Sequence, residues 1–298
     1  MSVSDTTLKK LQAIELSMLK ECVRICEQEH IRYFLIGGSA IGAVRHAGFI
    51  PWDDDIDIGM PRPDYEKFMS VAQKELPADF FLQNHKTDSS YPYVYAKIRK
   101  ANTSFIETRL SHLNINHGVY IDVFPLDGSP KSELIQAICW REFNVFRTAI
   151  WYKAGIVMKP EVRKSVFLFF KIFFSFKWLR EKTGIMGIPQ NLTSLFFAKF
   201  FSLGWLHDKA EQVMRKYDYA KSNRVVNWGG RYGVREIVPN NFFGKGCRMK
   251  FEGVEIMIPT NYDGYLRSIY GDYMKLPPTE ERKSLHSTLI VDLGNDKL

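Results

Sequence analysis

Tyr33-Phe34-Leu35-Ile36-Gly37-Gly38-Ser39, followed after a short gap by Asp53-Asp54-Asp55-Ile56-Asp57-Ile58, is the stretch whose reading decides the fold. The apolar run Tyr33 to Ile36 predicts a short strand, and Gly37-Gly38-Ser39 predicts a sharp turn whose backbone comes close to a ligand. A small helix from Ala40 to Arg45 follows, Pro51 closes the loop, and Asp55 to Ile58 alternates with the period of a second strand. That period sends Asp55 and Asp57 to one face, about 7 Å apart along the strand. Carboxylates so placed repel each other unless a cation lies between them. A hard, oxygen-seeking divalent ion, Mg²⁺ or Mn²⁺, answers that need and can bridge to a phosphate. Asp122 is a third acid, set in the apolar strand Tyr120-Ile121-Asp122-Val123-Phe124. Its burial there is costly unless it serves a metal or takes a proton.

Working outward, an amphipathic helix is expected from Asp5 to His30, with Leu8, Leu11, Ile14, Met18, Cys22 and Ile25 on its buried face. A second helix is expected from Pro63 to Lys74, then strands over Phe80 to Gln83, Tyr91 to Arg99 and Gly118 to Phe124. Pro125-Leu126-Asp127-Gly128 reads as the turn ending the last of these, with Asp127 as a turn former. From Lys131 to about Lys216 the chain turns helical and aromatic. Val166 to Trp178 is too short and too interrupted by Lys171 and Lys177 to span a bilayer. Lys164, Lys171, Ser175 and Lys182 share one stripe of it, which suits either an interfacial helix or a helix mostly buried in protein. Phe196, Phe197, Phe200 and Leu203 share a face of a second run, open to the same two readings. Beyond Tyr217, Asn227-Trp228-Gly229-Gly230 reads as a turn, Cys247 to Phe251 with Val254 to Ile258 as a hairpin, and Tyr262 to Tyr270 as a helix.

The 298 residues, 45% of them hydrophobic, are enough for a large core, which excludes a disordered chain. A formal charge of +8 favours anionic partners: a nucleotide-activated donor, an anionic membrane face or nucleic acid. Cys22, Cys26, Cys139 and Cys247 form no Cys-x-x-Cys pair and read as reduced core residues. The segment Met1 to Lys10 lacks the pattern of a signal peptide, so a cytoplasmic location is expected.

Gly-Gly-Ser, then acid-apolar-acid-apolar, then a lone acid on a later strand resembles the nucleotidyltransferase superfold. The longer string Gly48-Phe49-Ile50-Pro51-Trp52-Asp53-Asp54-Asp55-Ile56-Asp57, with Arg62, Asp64, Tyr65 and Phe68 behind it, resembles the LicD family more specifically. A C-terminal stretch from Pro259 to Pro278, ending with Arg282 and His286, resembles the same family. Bacterial members of that family are phosphocholine transferases acting on cell-surface glycans, and fukutin and the fukutin-related protein are animal relatives. The resemblance implies an α/β (α+β) fold with a mixed sheet, and it brackets the chain, with residues 131 to 240 matching loosely or not at all. Taken with the shift in composition, this divides the chain into a catalytic core over 1–130, a helical, aromatic-rich insertion over 131–216, and a part completing the catalytic domain over 217–298. It implies Mg²⁺-dependent transfer of a phospho-alcohol, most directly phosphocholine, from CDP-choline or a related CDP-alcohol to a sugar hydroxyl of a glycan. Asp55, Asp57 and Asp122 would be the metal ligands and catalytic acids, with Gly37, Gly38 and Ser39 offering donors to phosphate. Arg45, Arg62 and Lys97 would supply compensating charge. Nucleic acid is not an expected partner, whereas an anionic inner membrane face is.

Rival readings share many of these residues. A nucleotidyltransferase passing NMP from an NTP to a target uses nearly all of them, and a glycosyltransferase with an acid-x-acid metal motif uses some. Calcium storage would employ Asp53, Asp55, Asp57 and Asp64, but that loop needs Gly at its sixth position, where Ile58 stands. His46 and His286 read as packed or solvent-facing rather than catalytic. Asp272, with Tyr270 and Tyr273, is placed to hold a cationic alcohol head or simply to seat the last helix.

Overall fold

Tyr120–Ser129, buried along its whole length, forms β6, the strand around which a mixed seven-stranded sheet is arranged. The computed structural model describes residues 5–157, 190–284 and 286–294. β1 (Phe34–Leu35) pairs antiparallel with β2 (Asp57–Pro61), and β2 runs parallel to β6. β6 pairs antiparallel with β4 (Ala96–Lys100), which pairs with β3 (Phe80–Gln83). The end of β6 also pairs with β7 (Arg224–Val226), and β7 with β8 (Ile237–Pro239), so the chain's C-terminal third returns to the same sheet. The fold is α+β, as expected.

Register is what positions the site. Asp57 lies opposite Asp122, and Asp122 opposite Lys97, so three charged residues form one row across β2, β6 and β4. The row beside it, Ile58, Val123 and Ala96, points the other way, into the main core, because side chains alternate faces along a strand. α1 (Asp5–Gln28) and α3 (Arg62–Glu75) cover that core with Leu11, Ile14, Met18, Phe68 and Ala72. Cys22 and Cys26 are buried there as free thiols.

Several boundaries differ from the sequence expectation. α2 (Gly37–His46) begins at the glycines themselves, since Gly37 takes φ +58 and turns the chain from β1 into the helix within one residue. β2 starts at Asp57, which leaves Asp55 just ahead of the strand. β6 continues through Pro125 and Asp127 to Ser129, because β7 pairs with the segment that reads as a turn. β4 starts at Ala96, and Tyr91 and Tyr93 pack beneath Leu110 instead of joining a strand. β5 (Ser104–Glu107) and β11 (Thr288–Asp292) form a pair that no local pattern announced.

α4 (Glu133–Lys153), α5 (Gln190–Phe200) and α6 (Leu203–Met214) pack on β7 around Phe143, Ile150, Leu206 and Trp228. Phe197 turns into this cluster while Phe196 and Phe200 stay exposed, so the expected single aromatic face is divided. None of the described helices is long and apolar enough to cross a membrane. The run from Val166 to Trp178, with its stripe of Lys164, Lys171, Ser175 and Lys182, lies outside the described residues. The hairpin of β9 (Cys247–Phe251) and β10 (Val254–Ile258) and the helix α7 (Tyr262–Tyr270) stand as predicted.

Candidate active site

Asp55, Asp57 and Asp122 line a single cleft of about 1300 Å³, with Gly37, Gly38 and Arg45 on its walls. The two glycines make this possible. A Cβ on Gly37 would stand 2.8 Å from Asp57 Oδ2, and one on Gly38 would stand 2.8 Å from Asp53 Oδ2. Only a residue without a side chain lets both carboxylates rest against the first turn of α2, where the helix dipole favours negative charge. Ser39 is buried behind that turn, and its hydroxyl accepts the Asp57 backbone N–H at 2.8 Å. Arg45 donates to the Tyr273 carbonyl at 2.6 Å and is thereby held at the rim.

The cleft floor carries more negative charge than its own side chains neutralise. Burial, and then the charge of Asp55, holds Asp53 and Asp57 well above the usual carboxylate range. Asp55 is pushed up to about 6 by burial, against the opposing pull of His286. Burial also raises Asp122, although Lys97 pulls the other way. Glu15 of α1 lies behind them, and burial, then the charge of Asp55, raises it well above the usual carboxylate range. Among the described residues, Asp53, Asp54, Asp55, Asp57 and Asp122 face only Lys97 and His286 as close cations. Carboxylate oxygens of Asp53, Asp54 and Asp55 come within 4.8 Å of one another. An all-oxygen, over-anionic donor set of this kind fits a hard divalent cation.

Lys97 and Arg62 are not on the cleft wall. Lys97 Nζ lies 2.6 Å from Asp122 Oδ1 and 3.2 Å from the centre of the Tyr120 ring, almost fully buried. It takes one oxygen of one carboxylate and leaves the other acids uncompensated. Arg62 turns to Asp127 with two parallel bonds of 2.7 Å, one to each oxygen. Asp127 is therefore the buried partner of an arginine in a strand and not a turn former. The phosphate-facing role expected of Arg62 and Lys97 has no geometric support here, because both side chains are committed to carboxylates.

Sequence reasoning missed His286 and Asp54. Asp54 is 2% exposed and accepts from His286 Nδ1 at 3.0 Å and from the Ser284 hydroxyl. His286 Nε2 then lies 3.9 Å from Asp55. Burial alone would lower this histidine, but the Asp54 hydrogen bond and the Asp55 charge raise it to about 9, so an imidazolium stands at the edge of the acid cluster. The run of three aspartates was the available signal for Asp54. For His286 only its place in the C-terminal stretch hinted at a role, since the two residues lie far apart in sequence. Glu107 is a further buried acid, bonded by Arg109 at 2.9 Å and by the Tyr120 hydroxyl at 3.2 Å. It closes the side of the cleft nearest β5.

Known proteins resemble the stretch of chain that builds this cleft floor. Residues 30–154 match the domain family described as LicD/FKTN/FKRP, nucleotidyltransferase domain. The lipopolysaccharide cholinephosphotransferase LicD of Haemophilus influenzae is 28% identical over 285 residues, covering 94% of this chain and 96% of that protein. The human ribitol 5-phosphate transferase FKRP is 50% identical over 38 residues, which cover 13% of this chain and 8% of that one. An uncharacterised protein of Rickettsia prowazekii is 36% identical over 123 residues, covering 33% of this chain and 46% of its own.

Proposed function

The chain belongs to the LicD family, and on that premise we propose that it transfers a phospho-alcohol, phosphocholine in the first instance, from a CDP-activated donor to a sugar hydroxyl of a cell-surface glycan. What carries this reading is the surplus of carboxylates on the cleft floor beside the first turn of α2, within the matched domain. Asp55, Asp57 and the remaining oxygen of Asp122 would hold Mg²⁺ or Mn²⁺. Such an ion supplies charge neutralisation on a diphosphate. Lys97 fixes the Asp122 carboxylate through one oxygen, and Ser39 fixes the backbone of Asp57, so the floor is set before substrate arrives. His286, held protonated by Asp54, places a positive charge beside the acids where a phosphate oxygen can be met. In the reaction the acceptor oxygen bonds to the phosphorus that bears the alcohol, and the bond from that phosphorus to CMP breaks in line. The hydroxyl proton passes to the acid cluster.

The basic charge of the chain and the exposed Phe196 and Phe200 support contact with an anionic membrane face presenting lipid-linked glycans. Sedimentation with anionic liposomes at low salt tests that part alone; failure to co-sediment overturns it. Leaving groups test the reaction. Purified protein with Mg²⁺, CDP-choline and a glycan extract is expected to release CMP. Pyrophosphate released from an NTP would instead identify a nucleotidyltransferase, and nucleoside diphosphate a glycosyltransferase.

A further inference from the structure

Glu236 is a buried acid for which the proposed chemistry has no use. It is 7% exposed, lies on the wall of the catalytic cleft, and has no Lys or Arg ion-pair partner among the described residues, although Arg231 is near in sequence. Its one hydrogen bond among the described residues comes from the Tyr232 backbone N–H at 3.3 Å. Room for it is made deliberately: a Cβ at Gly230 would collide with the Glu236 carboxyl group. Burial raises Glu236 to about 7, so the group stands between its neutral and charged forms, and a cation entering beside it from the cleft would hold it ionised.

The neighbours of Glu236 are aromatic. Tyr232 and Tyr270 meet edge to face, with ring centroids 4.9 Å apart, and both line the cleft. Buried Tyr265 and half-buried Tyr270 lie close enough to Glu236 that its charge adds to the effect of burial in raising both phenols. The same two tyrosines reach the acid cluster. The Tyr265 hydroxyl accepts the Gly37 N–H at 3.2 Å, and the Tyr270 hydroxyl would lie 3.5 Å from a Cβ on Gly37, the glycine that backs Asp57. Asp272, the acid favoured by the sequence for this task, is exposed at the cleft mouth.

We propose that Glu236, with the rings of Tyr232 and Tyr270, forms the subsite for a cationic alcohol head, a quaternary or primary ammonium, adjoining the diphosphate-binding floor. A ring face and a buried carboxylate together recognise an ammonium group, whereas a polyhydroxyl head would leave the carboxylate without a counter-charge. This rests on the phospho-alcohol transfer reading and selects among its donors.

The test compares CDP-choline with CDP-glycerol and CDP-ribitol on the full chain, reading CMP release, and titrates choline chloride by calorimetry. Wild-type protein is expected to favour CDP-choline at least tenfold in kcat/KM. Glu236→Gln is expected to raise the KM for CDP-choline at least tenfold and to erase that preference. Tyr232→Phe keeps the ring and should keep the preference, while Tyr232→Leu should weaken it, which separates recognition from a folding defect. A wild-type preference for CDP-glycerol or CDP-ribitol, or an unchanged KM in Glu236→Gln, overturns the subsite and leaves phospho-alcohol transfer standing. If no CDP-alcohol yields CMP, the transfer reading fails. Choline binding then decides the subsite: heat of binding that Glu236→Gln abolishes supports it, and no binding overturns it.

Discussion

Asp122 and Asp127 stand on the same strand, five positions apart, and both are almost fully buried, yet they live in opposite electrostatic settings. Asp127 receives two charge-assisted bonds from Arg62, one on each oxygen, and its charge is matched where it sits. Asp122 receives one bond from Lys97 and otherwise faces Asp55 and Asp57 across the cleft floor. The first pair is complete without any ligand. In the second, Lys97 matches one oxygen of one carboxylate, and the acids left over are what the proposed cation site rests on. Burial of an acid alone therefore does not mark a functional site; burial with charge left over does.

Breaking the two sites should give opposite signatures. Asp57→Asn is expected to lower CMP release by about 10²-fold to 10³-fold or more, comparable to losing a main electrostatic contact in the transition state. The same substitution removes one of several repelling charges, so thermal stability in metal-free buffer should hold or rise. A large drop in its Tm would mean that Asp57 is structural like Asp127. Arg62→Ala should do the reverse and cost about 3–5 kcal/mol in chemical denaturation, because Asp127 is left charged and alone. Arg62→Met combined with Asp127→Leu should recover most of that loss.

Cation binding sharpens the contrast at a smaller scale. Mg²⁺ or Mn²⁺ at a hundredfold excess over its dissociation constant should stabilise the wild-type chain by about 2.7 kcal/mol, and EDTA should remove the gain. Arg62→Met with Asp127→Leu should show the same gain; Asp57→Asn should not. An effect of similar size is expected at His207, which is buried against the Tyr91 carbonyl at 3.0 Å and stacked on His85. Burial, then the charge of His85, lowers it to about 3 from 6.5, so it is neutral when folded. Below pH 6.5 the unfolded chain binds the proton that the folded chain refuses. Stability from this residue is thus present above that pH and is lost as pH falls toward 3, by about 1.4 kcal/mol per unit. The raised acids of the cleft push the other way, gaining stability as they protonate. His207→Phe should therefore flatten the acid-side loss relative to wild type in denaturation series from pH 7 to pH 4.5.

Much of the frame was legible because it is local. The period of Asp55-Ile56-Asp57-Ile58, the stepping of Leu11, Ile14 and Met18, and the hairpin of Cys247 to Phe251 with Val254 to Ile258 each announce one element, and the structure has all three, the first shifted to begin at Asp57. What stayed hidden depends on distant pairing. Pro125 and Gly128 have turn chemistry, but β7 and Arg62 keep that segment in the sheet. Tyr91, Tyr93 and Tyr95 alternate like a strand, but Tyr91 and Tyr93 pack on Leu110 without a ladder partner among the described residues. β5 and β11 find each other only in three dimensions, and the same closure brings His286 to Asp54. The gathering of Asp55, Asp57 and Asp122 at one cleft was readable from their spacing and strand setting, whereas Lys97 and Arg62 looked like cations free for phosphate until their buried partners were seen.

Titration of Mn²⁺ into the full chain, followed by the electron paramagnetic resonance of the free ion, reads the surplus charge of the cleft floor directly. Loss of the free-ion signal with wild type and with Arg62→Met combined with Asp127→Leu, but not with Asp57→Asn, is the predicted result. Equal binding by wild type and Asp57→Asn, or no binding by wild type at all, would contradict it.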